Sequence, residues 1–165
     1  MAQYAEFIDF QENDMNFSTD DRGRLALGGI HDSTITQFSL DAAAKRIGIQ
    51  CLSDAGIITD FAATSLYTLN ISALWEGSVI SDIFVWDFTD VPDDYLFDPE
   101  IGWRHLFEGR IDDRNQLLAQ IERYKERLPK AKLVSIGCSY GGNISFLCQE
   151  LRIEQTHPVS SSQAS

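Results

Sequence analysis

From residue 34 to residue 154 the apolar side chains come in short runs rich in Ile, Val, Phe and Trp, and only one stretch repeats them at helical spacing. Parallel strands need a long crossover, usually a helix, between each neighbouring pair, so several strands sharing one helix must pair antiparallel. The expected fold class is therefore α+β, mainly antiparallel β, with three hairpins forming a sheet or sandwich and one amphipathic helix covering a face.

The hairpins are read from apolar runs and the turns between them. Residues 34–40 and 46–52 flank Asp41-Ala42-Ala43-Ala44-Lys45, a spacing that suits a hairpin with a longer loop. In residues 65–74, Tyr67, Leu69, Ile71 and Ala73 recur at period two, and Trp75-Glu76-Gly77-Ser78 then supplies a turn. Residues 79–88 are expected to return as its partner strand, with Ile80, Phe84, Trp86 and Phe88 on one face and Asp82 as the exception. The third hairpin joins residues 132–140 and 143–154 through Gly141-Gly142, which reaches positive φ at little cost. The helix begins where Asp112 or Asp113 caps free backbone N–H groups. Leu117, Ile121, Tyr124 and Leu128 form its apolar stripe, Leu118 widens it, and Pro129 ends it.

At 165 residues the chain is expected to form one domain, with an acidic, partly ordered arm over residues 1–21 and a disordered tail over 156–165. Its 25 acidic and 13 basic residues leave a formal charge of −12, which repels phosphate backbones and anionic lipid headgroups. Neither a nucleic acid nor a membrane is expected as partner. Cys51, Cys138 and Cys148 are scattered among apolar neighbours and read as reduced core residues of a cytoplasmic protein. The first residues lack the basic and apolar regions of a signal peptide.

Three constellations carry some chemical signal. Gly137-Cys138-Ser139-Tyr140-Gly141 fits G-x-S-x-G, the nucleophile elbow of serine hydrolases, but only Glu150, Glu154 and His157 follow as acid and base, and a hairpin accounts for the same glycines. His31-Asp32 could enter a metal site or an acid–base couple, yet no other histidine or cysteine stands at ligand spacing. A turn at Gly28-Gly29, held by the His31 and Asp32 side chains, is the simpler reading. Residues 87–100 are dense in carboxylates without the spacing of an EF-hand loop. No metal, no cofactor and no catalytic residue is assigned.

That acidic stretch is the more informative feature. Between Glu76 and Asp113 lie eleven acidic residues against Arg104 and Arg110, and Tyr95, Phe97 and Trp103 are interleaved with them. Aromatic anchors ringed by one sign of charge suit a protein-binding surface, and negative charge steers a basic partner. The expected interface is Asp90, Asp93, Asp94, Tyr95, Phe97, Asp98 and Trp103.

Ile30-His31-Asp32-Ser33-Thr34-Ile35-Thr36-Gln37-Phe38-Ser39-Leu40-Asp41 resembles the opening of a group of small bacterial domains in which a hydrophobic-His-Asp-Ser step leads into an antiparallel hairpin. The closing hairpin at 135–146 is similar to theirs too. The group includes immunity proteins of polymorphic toxins, and the resemblance implies a β-rich, non-catalytic, partner-binding domain. The function expected is thus an immunity-type protein that occludes the active site of a basic toxin. The alternatives are a compact hydrolase using Ser139 and a structural subunit kept soluble by its charge.

Overall fold

The computed structural model describes residues 17–73, 77–140 and 142–158. Six antiparallel strands form one sheet in the order β1-β2-β3-β6-β5-β4, where β1 is Thr34–Asp41, β2 Arg46–Leu52, β3 Ile58–Ile71, β4 Ile80–Asp87, β5 Lys132–Cys138 and β6 Ile144–Thr156. Between β4 and β5 the chain makes two single-turn 3-10 segments, Phe88–Asp90 and Asp93–Tyr95, then the short helix α1, Gly102–Leu106, and the longer α2, Arg114–Arg127. None of the described helices is long and apolar enough to cross a membrane.

The sheet curls until its two edges meet at one end. Ile80 N–H donates to the Ser33 carbonyl at 2.8 Å and Asp32 N–H to that of Ile80 at 2.9 Å, which joins the start of β1 to the start of β4. Further along, Leu25 N–H donates to the Ile83 carbonyl and Val85 N–H to that of Gly23, both at 2.8 Å, so the segment before β1 covers the edge of β4. Covered edges cannot template pairing with another chain.

Burial divides the strands into two kinds. In β2 it alternates, with Ile47, Ile49 and Cys51 buried between less buried neighbours; the first half of β3, with Phe61 and Ala63, does the same. In β4, β5 and the first half of β6 both faces are buried. Ile83, Val85, Val134, Ile136, Ile144 and Phe146 line the concave core. On the opposite face Phe84, Trp86, Leu133 and Leu147 pack with Trp103, Leu106, Leu117 and Ile121 of the helices. Strands apolar on both faces gather under the helices, and strands apolar on one face make up the solvated half.

This division corrects the expected partner of 65–74. The strand there starts earlier, at Ile58, and both its edges are taken, by β2 and β6, while β4 pairs with β5. The expected hairpins β1–β2 and β5–β6 form, and the remaining consecutive hairpin is β2–β3. A one-residue bulge between Ile80 and Asp82 also puts Ile80 in the concave core, on the other face from Phe84. The helix starts as expected, with Asp113 Oδ1 accepting from Gln116 N–H at 2.9 Å, but Leu118 is 39% exposed and outside the stripe.

At the ends, Thr19 of the expected arm bridges Leu25, and Thr156 of the expected tail pairs with Ile58 in β3. Residues 1–16 and 159–165, together with Leu74, Trp75, Glu76 and Gly141 of the expected hairpins, lie outside the described residues. All three cysteines are buried and unpaired.

Candidate partner-binding surface

The acidic stretch leaves β4 at Asp87 and returns at α1, and its aromatic residues fasten it to the body of the protein. Phe88 is buried and meets Trp103 edge-on at 5.8 Å between ring centres. Tyr95 leans on Phe84 at 5.0 Å and Trp86 at 5.3 Å, and the Arg22 guanidinium covers it at 5.4 Å. The Arg114 guanidinium lies 4.2 Å from the ring centre of Phe97, a cation–π contact that ties the loop to the first residue of α2. Asp98 Oδ1 accepts from Glu100 N–H at 2.8 Å and Ile101 N–H at 3.3 Å, closing the turn before α1.

With rings turned inward, the carboxylates are left outward. Asp90, Asp93, Asp94 and Glu100 are exposed. Asp94 pairs with Arg22 at 3.3 Å, whereas Asp90, Asp93 and Glu100 have no ion-pair partner among the described residues. Three more pairs border the loop, Asp82 with Arg24, Asp87 with Lys132 and Asp112 with Arg104, and pairs as open as these typically contribute ~0–1 kcal/mol.

Of the seven residues expected at the interface, Asp90, Asp93 and Asp94 thus stand at the surface, and Tyr95 and Phe97 are half-buried beside them. Asp98 is half-buried and engaged by backbone amides. Trp103 is 0% exposed and stacks on Phe107 at 5.9 Å, so its role is to hold the loop from inside. Glu100 belongs with the exposed carboxylates and was not among the seven.

The other two constellations sit apart from this surface. Ser139 is exposed at the end of β5, and its N–H donates to the Val79 carbonyl at 2.9 Å. The chain then turns into a strand, whereas the elbow of a hydrolase turns into a helix. At His31-Asp32, Nδ1 and Oδ2 lie 2.9 Å apart on two exposed side chains. The turn is held by Ser33, whose hydroxyl donates to the Gly29 carbonyl at 2.6 Å, and not by the His31 and Asp32 side chains. Among the described residues no group of three or more His, Cys, Asp or Glu could hold a metal ion.

A polar cluster that sequence reasoning missed lies under α1. His105 is 1% exposed. Its Nδ1 is 2.7 Å from Ser145 Oγ, which is 2.8 Å from Ser135 Oγ, which accepts from Gly102 N–H at 2.9 Å. On the other side of the ring Nε2 is 3.0 Å from Ser72 Oγ, while the Asn70 amide, 3.5 Å from Nε2, donates to the His105 carbonyl at 2.8 Å. One direction of donation gives every hydroxyl an acceptor: Ser135 to Ser145, Ser145 to Nδ1, Nε2–H to Ser72, and Ser72 to the Asn143 carbonyl at 3.5 Å. The proton is therefore assigned to Nε2, which points a donor at Ser72 and leaves the ring unable to act as its base. Burial pushes the pKa of His105 below its ordinary value, against the raising pull of Glu108, Asp98 and Glu100.

No protein-family model and no curated protein matches the chain.

Proposed function

We propose that this protein is a non-catalytic binding protein whose acidic loop receives a basic protein surface, and that it acts as an immunity-type inhibitor in the cytoplasm by covering the active site of a basic toxin. The observation that carries the reading is the division of labour in the loop. Its aromatic rings are occupied by the fold, while Asp90, Asp93 and Glu100 stand exposed without an ion-pair partner among the described residues. Charges held on an already ordered loop lose little entropy when a partner docks. The net charge of −12 adds long-range steering, which raises association toward ~10⁸ M⁻¹s⁻¹ at low salt.

The experiment is a low-salt pull-down from the source cells with the wild-type chain and with the triple variant Asp90→Asn, Asp93→Asn, Glu100→Gln. Asp98 is left intact because it holds the turn. The wild type is expected to retain one stoichiometric basic protein whose activity is blocked in the complex. The variant, with unchanged thermal stability, is expected to bind it at least ~10-fold more weakly and with a flatter salt dependence. Equal affinity and equal salt dependence for both chains would remove the loop as the binding surface.

A further inference from the structure

The His105 cluster has no part in the surface proposed above, yet it is the place where that surface is fastened. Helix α1 directly follows the acidic loop, and three of its polar groups are bound to the sheet. Its first amide, on Gly102, donates to Ser135 of β5; its His105 ring is bound by Ser145 of β6; its His105 carbonyl accepts from Asn70 of β3. Ser135 and Ser145 face each other across the β5–β6 ladder, so the ring and the amide draw on one hydroxyl pair.

We infer that His105 is a pH-sensitive latch: its neutral ring clamps α1 to the sheet and keeps the acidic loop displayed, and its protonation releases α1. The chemistry lies in the direction of the hydroxyl chain. Nδ1 is the acceptor that ends the run from Gly102 through Ser135 and Ser145. A proton on Nδ1 sets one donor against another, so Ser145 must turn its O–H toward Ser135. The Ser135 O–H then has no acceptor among the described residues, because its other neighbour, Gly102 N–H, is itself a donor. A buried cation and a stranded hydroxyl are both relieved when α1 lifts and water enters.

The groups around the ring set the sign of the effect. Glu108 Oε2 lies 3.9 Å from Nε2, and Asp98 and Glu100 act at longer range. Arg110, one turn further on, is engaged by Thr68 Oγ1 and the Leu106 carbonyl. The Asp93–Tyr95 turn adds exposed Asp93 and Asp94. From the sheet side the described groups that meet the ring or its hydroxyl chain are neutral, Asn70 of β3, Ser72 just after it, Ser135 of β5 and Ser145 of β6, and α2 contributes Leu117, Ile121 and Tyr124 to the shared core. The surrounding charge is negative and favours a cation, so burial and the Ser145 hydroxyl donating to Nδ1 keep the ring neutral, and opening the cluster makes it more basic.

The test uses the isotope-labelled full chain and follows the His105 ring by NMR from pH 7.5 to 4, together with amide hydrogen exchange of residues 102–106. His105 is expected to titrate in one step, and protection of the α1 amides is expected to fall over the same interval. Carboxylates titrate in this range too, so Ser145→Ala separates them: removing the donor to Nδ1 is expected to move both midpoints up together by roughly half a unit to one unit, the size of one hydrogen bond. Protection of α1 that stays constant while His105 titrates would overturn the latch, as would a Ser145→Ala midpoint at or below that of wild type. The latch is read on the isolated chain, and only its consequence for binding rests on the proposed function. A latch that opens in a protein whose loop variant binds normally refutes the loop and leaves the latch standing.

Discussion

Gly102 offers a direct test of how the acidic loop is joined to the core. Its φ of +70° lies in the left-handed region, and a Cβ placed there would come closer than 3.0 Å to the Tyr95 carbonyl oxygen, a backbone atom of the loop. Gly109 has nearly the same conformation, φ +69°, with nothing within 4 Å of a Cβ. The two alanine substitutions therefore share the backbone penalty and differ in the collision. An L-residue in the left-handed region costs about 1–2 kcal/mol, which is the whole effect expected for Gly109→Ala. Gly102→Ala adds a forced displacement of α1 against the loop, on the order of 1–3 kcal/mol as for other overpacked sites. For a chain of this size the difference corresponds to a Tm gap of roughly 2–12 °C between the variants, with Gly102→Ala the lower. Thermal unfolding followed by circular dichroism, checked by urea titration, measures it. If Gly102→Ala were as stable as Gly109→Ala, the close packing of α1 against the Tyr95 carbonyl would be refuted.

Three other outcomes follow from separate parts of the fold. Asp113→Ala removes the side-chain cap of α2 and is expected to lower stability by about 1 kcal/mol in urea unfolding, with Asp113→Asn retaining most of it. Burial pushes the thiols of Cys51 and Cys148 up to about 12 and that of Cys138 up to about 11, so iodoacetamide at pH 8 is expected to leave the native chain unlabelled and to alkylate all three once it is unfolded. Because the folded state lowers the proton affinity of His105, its contribution to stability is complete above its ordinary pKa of about 6.5 and is lost as pH falls through the folded value. Urea midpoints are accordingly expected to fall from pH 7 toward pH 5 in wild type and less steeply in a His105→Gln chain.

Strand positions were more legible in the sequence than strand partners. Residues 34–40 and 46–52 match β1 and β2 almost to the residue, and in β2 alternating burial writes a period-two pattern into a half-exposed strand. Sequence proximity misassigned β3 to β4, although composition held the contrary signal. Residues 83–86 and 133–138 are apolar or small at nearly every position, whereas 46–52 alternates. A strand apolar on both faces needs a layer over each, and the residues that supply the outer layer, α1 and α2, lie between β4 and β5 in the chain. Matching strands by the number of faces they bury would have paired β4 with β5.

The exposure of the candidate site was legible in its charge and not in its rings. An acidic run reads as exposed, and Asp90, Asp93, Asp94 and Glu100 are. An aromatic residue among carboxylates has no such one-way reading. Burying a ring can stabilise either this fold or a complex, and here Phe88 and Trp103 are spent entirely on the fold. His105, Ser135 and Ser145 were invisible for the opposite reason: each is a small or titratable residue in an apolar context, and only the sheet brings the three together, from positions up to forty residues apart. One consequence bears on recognition. Because Trp103 and Phe88 are already packed, a partner cannot use them as anchors without unfolding α1, so affinity for this loop has to come from charge, shape and the exposed margins of Tyr95 and Phe97. The proposed interface is therefore expected to be sensitive to salt and to whatever moves α1. That sensitivity ties the loop carboxylates and His105 to one mechanical element.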